Sequence, residues 1–401
     1  MPPESVSKRR PGASAVWAAP FRPFFLATGL YAVVIVGFWL GAWFGGWPLP
    51  EAITPMQWHS HEMLFGMVAA AIAGFLLTAM CNWTGAPLLS GRALMTLFGL
   101  WLAGRVAMWS AAWLPGWLVA AIDLSFLLAV AVYAWRVIAG AGNRRNLPIV
   151  GMVALLWLAN FLFHLGVWEN LPELARRAEL GTILLIVLLM VVIGGRITPA
   201  FTRNWLNRHG GDAAAVRSWP SVETAAVVST LAVLVLLVAG APMAWTSVAA
   251  MLAAVANGVR LLGWVGWKTR SDPLVWILHV GYAWIPVGLL LLGLFPWLDT
   301  LTPSTWLHAL GIGAMGTLIL GVMTRVCLGH TGRPLELPRA LVPAYWLVIV
   351  ATLLRISAAM ALLPYRPAVI AAGLAWMAAF IIFAIAYWPV VSQPRADGRP
   401  G

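Results

Sequence analysis

The chain has 401 residues, of which 62% are hydrophobic and 9% are charged, and its formal net charge is +12. This composition is far more apolar than that of soluble globular proteins, so it excludes a soluble enzyme and indicates a polytopic membrane protein. The basic residues fall in alternate loops between apolar stretches, a pattern that reflects membrane topology, so no nucleic-acid partner is expected.

Apolar stretches of about 20 residues, the length that crosses a bilayer, recur along the whole chain. We predict an all-α transmembrane bundle over residues 21–390, with disordered cytoplasmic segments at residues 1–20 and 391–401 that are rich in Pro, Gly, Ser and Arg. The twelve predicted helices cover residues 24–44, 62–81, 95–113, 118–135, 147–167, 180–194, 222–239, 247–267, 274–294, 305–326, 341–361 and 367–388.

The loops differ in charge on the two sides of the membrane. Lysines and arginines are concentrated before helix 1 and after each even-numbered helix, whereas the opposite loops contain Arg176, Arg177 and Arg366. The positive-inside rule therefore places both termini in the cytoplasm.

The segment WHSHEMLFG, residues 58–66, opens helix 2 with two histidines. Imidazole is costly to leave in lipid, so histidines in membrane spans usually have a function. On the predicted topology, His59, His61, His164 and His308 all lie near the outer face. Residues two apart on a helix point about 200° away from each other. The first two histidines should therefore serve two centres, unless one lies in an extended segment before the helix.

These four histidines could hold two metals. A haem iron takes one or two axial imidazoles, and a copper site commonly uses several nitrogens and can recruit a thioether. One histidine for the haem and three for the copper would account for the four outer histidines. Met63 and Met67 lie nearby as candidate thioether ligands of copper. The alternative is that the imidazoles hydrogen-bond backbone or water at the interface. His279 and His330 lie in the opposite layer, where they could hold a second haem; His330 could equally be a loop residue.

Charged residues within the predicted spans are the second signal. Glu62 could orient the neighbouring imidazole or carry protons inward. Arg105 and Asp123 lie at similar depths on helices 3 and 4 and are predicted to pair. Arg260 and Arg355 have no evident partner, and an unpaired arginine costs about 2.5 to 3.5 kcal/mol at a helix centre. Haem propionates or acidic side chains on other helices would be suitable counter-ions.

Helices 2 and 10 have similar endings, CNWTGAPL (81–88) and CLGHTGRPL (327–335), and helix 6 ends in the weaker echo GGRITPAFT (194–202). Helices four apart in this way would form three four-helix units, a layout like that of the catalytic subunit of haem-copper oxidases. The alternative is that Gly, Thr and Pro are frequent at helix ends in general.

Several blocks of this sequence resemble the NnrS family, bacterial membrane proteins associated with the nitric oxide response. The resemblance implies haem b, copper, a role under nitrosative stress and location in the bacterial inner membrane. The matching blocks are PFRPFF (20–25), WHSHEMLFG (58–66), AGFLLTAMCNWTG (73–85), WLAGR (101–105), GGRITPAFTRNWL (194–206) and HALGIGAMGTLILGVMTRVCLGHTGRPL (308–335). The family's functional positions would correspond to His59, His61, Glu62, His164, His279, His308 and His330.

Together, these features favour a protein that binds nitric oxide at a haem and copper centre. In its fullest form this hypothesis adds reduction to nitrous oxide, with Glu62 as the catalytic proton carrier and Arg105 and Arg355 as cofactor-binding residues. Its partners would be nitric oxide, the lipid bilayer and an electron donor, either a quinol or a redox protein. One alternative is a sensor of nitric oxide, or a protector of the iron pool, without turnover. Another is a twelve-helix transporter of metal or metal-nitrosyl, for which helices broken near the midplane, for example at Pro199 or Pro286, would be the cue.

Overall fold

The computed structural model describes residues 15–49 and 53–399, which form twelve long helices and no strand. Eleven of the twelve helices in these ranges are long and apolar enough to cross a membrane, the exception being α3. The all-α bundle is therefore confirmed. Disorder was expected at residues 1–20 and 391–401, of which 1–14 and 400–401 fall outside the described residues, while Val16–Ala18 form a 3-10 helix and α12 continues to Ser392. The helices are α1 (Phe21–Gly45), α2 (Pro55–Thr84), α3 (Gly91–Trp109), α4 (Gly116–Gly140), α5 (Leu147–Trp168), α6 (Pro172–Arg208), α7 (Pro220–Ala239), α8 (Met243–Gly263), α9 (Pro273–Leu294), α10 (Pro303–His330), α11 (Val342–Ala359) and α12 (Tyr365–Ser392).

The two helices with histidines near their N-terminal ends, α2 and α10, begin earlier than predicted. Thr54 and Gln57 form a capping box that starts α2 at Pro55, and Thr302 with Thr305 does the same for α10. Each box satisfies backbone N–H groups that the first turn leaves unpaired, and proline suits the first helical position. The histidines near both helix starts are therefore helical, with fixed directions.

The helix α6 is much longer than the predicted span 180–194. It has 37 residues, about 55 Å at 1.5 Å per residue, whereas a bilayer core is about 30 Å thick. Its ends therefore extend beyond the apolar layer. Pro199 in α6 and Pro286 in α9 both lie inside continuous helix, so neither proline breaks its helix.

The twelve helices form three groups of four, α1–α4, α5–α8 and α9–α12. Contacts of α4 with α5, α8 with α9 and α12 with α1 join the groups into a closed ring. The middle of the bundle is occupied by α2, α6 and α10, whose most apolar windows are 78%, 61% and 72% buried, against 17% for the peripheral α7. These three helices are four apart in the chain, as expected from their similar endings.

Both α2 and α10 change from α-helical to π-helical hydrogen bonding directly after a histidine. The π segments are Glu62–Val68 and Ala309–Gly316, which follow His61 and His308. A π segment redirects the side chains that follow it, and such segments are often found at functional sites. The shared irregularity strengthens the likeness between the two helices and draws attention to their first turns.

Candidate functional site

The four outer histidines separate into two pairs on two sides of α2. His59 and His308 line a cavity of about 390 Å³ between α1, α2, α6, α10, α11 and α12. His61 and His164 lie in a buried cluster of charged side chains. The grouping is thus two and two, not one and three, because both histidines of the α2 motif are helical and point in different directions.

The two imidazoles on the cavity are held by their surroundings. The ring of His59 stacks on Trp39, with centroids 4.5 Å apart, and its buried Nδ1 has no hydrogen-bond partner among the described residues. His308 Nδ1 lies 2.7 Å from the carbonyl oxygen of Ser304. A carbonyl can only accept, so Nδ1 donates and the lone pair of His308 is on Nε2. A histidine held in this way is prepared to ligate a metal through its other nitrogen.

Two charged side chains line the same cavity, Glu179 and Arg355, among mainly apolar and thioether groups. Arg355 Nη2 donates to Ser304 Oγ at 2.9 Å, while its Nη1 is buried and finds no acceptor in the described part of the chain. The carboxylate of Glu179 accepts from the hydroxyl of Ser60, the residue between the two histidines of α2. We shall call this space the histidine cavity.

The charged cluster is organised around Arg105, which bridges Glu62 and Asp123. The predicted pairing of Arg105 with Asp123 is confirmed, and Glu62 joins it. The other carboxylate oxygen of Glu62 accepts from the hydroxyl of Tyr31. Glu62 is fully buried, has both oxygens engaged and does not line the histidine cavity.

A possible metal site lies on the other side of this cluster. Ligand atoms of His61, Asp123 and His164 all lie within 4.8 Å of one another. Asp123 Oδ2 is 3.2 Å from His61 Nε2 and 3.0 Å from His164 Nε2, and it also accepts from Asn160 Nδ2 at 2.7 Å. Two imidazoles and a carboxylate are a donor set that transition metals use. We shall call these three residues the HDH group.

The charges of the cluster explain why a cation suits this position. Two carboxylates and one guanidinium leave one excess negative charge, and an uncompensated buried charge is costly. His61 Nδ1 lies 2.9 Å from Glu62 and its Nε2 lies 3.1 Å from Asn160 Oδ1. Both neighbouring oxygens can accept a proton from the ring, so a protonated His61 would balance this charge. A metal ion at Nε2 would replace that proton and supply the same compensation.

The remaining histidines and arginines of the prediction lie elsewhere. His279 is 2.9 Å from Thr202 Oγ1, and the ring of His330 packs 5.7 Å from that of Phe21; neither joins the two sites above. Arg260 pairs with Glu223 and donates to the hydroxyl of Tyr282 at 2.9 Å. An acid on another helix is therefore the counter-ion of Arg260, whereas Arg355 remains with an unpartnered nitrogen.

Sequence reasoning missed Glu179, Asn160 and Tyr31. Glu179 lies one residue before the predicted start of helix 6, at 180, so it counted as part of a loop. Asn160 lies four residues before His164, hence on the same face of α5, and this spacing is a signal that could have identified it. For Tyr31, in the middle of an apolar helix, the sequence offers no comparable signal.

A smaller cavity of about 100 Å³ lies between the three central helices and is lined only by apolar groups. Val68 of α2 and Ile319 of α10 border both this space and the histidine cavity. The two spaces are therefore adjacent.

A search of the curated proteins found no match. The family model described as NnrS protein matches residues 15–395, which include all twelve helices of the structure. The chain therefore belongs to the NnrS family of membrane proteins of the nitric oxide response.

Proposed function

We propose that this protein holds a haem b in the histidine cavity and a copper ion at the HDH group. With these groups bound, the protein would bind nitric oxide and reduce it to nitrous oxide. The observation that carries the proposal is the pair His59 and His308, two imidazoles from separate central helices that line one apolar cavity with ring nitrogens left free. When bound, haem iron would supply the binding of diatomic ligands, and copper would supply one-electron chemistry.

The residues of the histidine cavity fit a haem. Its volume of about 390 Å³ lies in the range of cofactor pockets, about 300 to 1,000 Å³. His59 and His308 would hold the haem iron through ring nitrogens, and the apolar walls would exclude water from the cofactor ring. Arg355 has a buried nitrogen without an acceptor, which a propionate would satisfy by a charge-assisted hydrogen bond.

The residues of the HDH group fit a copper ion through two imidazoles and one carboxylate. Glu62 holds the ring of His61 through Nδ1, as the outer partners of metal-bound histidines do. We therefore assign Glu62 a positioning role instead of the proton-carrying one expected from sequence.

Proton supply falls to Glu179. Reduction of two molecules of nitric oxide consumes two electrons and two protons and yields one nitrous oxide and one water. The electrons come from an external donor, a quinol or a redox protein. Glu179 lines the cavity and accepts from Ser60, so its carboxyl group can hold a proton where the reacting oxygen is released. Nitric oxide is small and uncharged, and the central apolar cavity gives it a route from the bundle core.

The Glu179→Gln variant tests this assignment. We expect it to keep the haem absorption and the binding of nitric oxide while nitrous oxide production falls by about 10²-fold, the usual loss when a positioned acid is removed. The measurement is anaerobic turnover with an added reductant, followed by gas analysis. Glu169→Gln, on an exposed residue, is the matched control and should turn over at the wild-type rate.

The outcomes for the wild-type protein separate the versions of the proposal. The proposal is refuted if protein produced with iron and copper supplied shows no Soret band and contains no iron or copper above background. Spectral changes on addition of nitric oxide without nitrous oxide would mean that the protein binds or senses the gas and does not reduce it. An unchanged rate in Glu179→Gln would remove that residue from proton supply.

The copper site makes an independent prediction. Asp123→Asn removes the carboxylate that contacts both imidazoles of the HDH group. We expect the copper content to fall from about one ion per chain to background while the Soret band stays, because Asp123 does not line the histidine cavity. Metal analysis of purified protein measures this, with Asp299→Asn, at an exposed position, as the control. Retention of copper in Asp123→Asn would place the ion elsewhere.

A further inference from the structure

Another cavity lies at the end of the bundle where the start of α1 meets the segment after α12, which we call the terminal face. Arg22 near the start of α1 donates there to the carbonyl oxygen of Gln393 at 2.7 Å, and Arg395 Nη1 donates to that of His330 at 2.8 Å. The cavity has a volume of about 580 Å³ and lies between the ends of α6 and α10 and the segment after α12. Its lining includes Phe201, Asn204, Arg208, Arg325, His330 and Arg395.

Arg325 is the unusual member of this lining. It is only 5% exposed, and its guanidinium lies over the ring of Phe201, 4.0 Å from the centroid. Its Nη1 has no hydrogen-bond partner, and it makes no ion pair with any residue in the described ranges. An unsatisfied buried N–H of a charged group is costly, and such groups are normally paired. The position calls for an acceptor that the described protein does not supply.

The surrounding charges define the kind of acceptor. Arg208 uses its Nε within its own helix, and Arg395 is paired with Asp397. Asp272, the acid near the end of α6, accepts instead from the backbone N–H of Leu274 at the start of α9. The negative charge of Asp272 offsets part of the positive charge of Arg208 and Arg325, so one excess positive charge remains at the cavity and favours an anion.

We propose that this cavity binds a phosphate group, with Arg325 and Arg208 donating to its oxygens. Planar guanidinium groups match phosphate oxygens with paired N–H donors. The amides of Asn204 and Asn207 line the same space and add donors at the open side. The phosphate can come from an anionic phospholipid headgroup, since the site lies at helix ends, or from a soluble phosphate. A phosphate here joins α6 to α10, and the inference is independent of the proposed haem and copper sites.

The test uses the full-length purified protein and two probes. Phosphatidylglycerol is supplied in nanodiscs or mixed micelles, with phosphatidylcholine as the neutral lipid, and retained lipid is counted by native mass spectrometry. Inorganic phosphate is titrated in parallel and followed by the thermal unfolding midpoint. We expect saturable binding of one probe, weakened by at least about tenfold in Arg325→Gln, because the substitution removes charge-assisted hydrogen bonds to the phosphate. Arg144→Gln, at an exposed residue outside the cavity, should bind as wild type.

Selective retention of phosphatidylglycerol identifies a lipid headgroup, and saturable stabilisation by inorganic phosphate identifies a soluble anion. The inference is overturned if neither probe binds the wild-type protein, or if both bind Arg325→Gln as tightly as wild type. Should Arg325→Gln fail to fold, Arg208→Gln decides the question, because Arg208 is exposed and its removal leaves the core intact. A severalfold loss of binding in that variant supports the site, and unchanged binding overturns it.

Discussion

Alanine at His59 or at His308 is expected to lower the Soret absorption of the purified protein severalfold. Each substitution removes one of the two imidazoles that line the histidine cavity, and no third histidine of the described residues lines it. One remaining imidazole holds a haem less firmly than two. The measurement is the absorption spectrum together with iron content per chain. We expect both variants to retain copper at the HDH group, which shows that the bundle has folded.

The matched control for this prediction is His279→Ala. His279, on α9, is also buried inside a membrane-spanning helix, but it hydrogen-bonds Thr202 and does not line the histidine cavity. It should therefore keep the full Soret band. Full absorption in both His59→Ala and His308→Ala, or its loss in the control alone, would contradict the assignment of the ligands.

Methionine at Arg105 is expected to destabilise the protein by about 3 to 5 kcal/mol, the cost of breaking a buried ion pair by removing one partner. The substitution keeps much of the side-chain volume but leaves Glu62 and Asp123 without the guanidinium that bridges them. The hydrogen bonds of Tyr31 and of Asn160 remain, but they do not neutralise two carboxylates. The midpoint of unfolding in detergent, followed by tryptophan fluorescence, measures the loss.

Two further variants make this experiment specific. Arg176→Met removes an arginine that is 61% exposed and pairs with Glu173 within one helix, so its effect should stay within about 0.5 kcal/mol. Adding Glu62→Gln to Arg105→Met removes one of the stranded charges and should restore part of the lost stability. A double variant as unstable as the single one would mean that Arg105 acts through packing and not through charge.

Much of the fold could be predicted because hydrophobic length is a strong signal. The count of twelve helices in the described part of the chain agrees with expectation, and eleven of them are long and apolar enough to cross a membrane. The errors are at helix ends, where capping and not hydropathy decides the boundary. Thr54 and Thr302 start their helices outside the apolar run, and α6 extends well beyond it at both ends.

The site could be predicted in part. Depth along each helix is readable from sequence, so Arg105 and Asp123 were expected to meet, and they do. The direction in which a side chain faces around its helix is harder to predict when the helix is apolar on all sides. That direction decides which histidines share a site. Glu223 in the first turn of α7 and Arg260 in the last turn of α8 also lie at similar depths on consecutive helices, so the same reasoning from depth could have identified this pair.

In the segment His59–Ser60–His61, three consecutive residues of one helical turn contribute to two separate sites. The first imidazole lines the histidine cavity, the hydroxyl bonds Glu179, and the second imidazole contacts Asp123. Both proposed centres therefore depend on the same short stretch of backbone, just before the π segment. We expect binding at one of them to change the affinity of the other, and by reciprocal linkage the effect should have equal size in both directions.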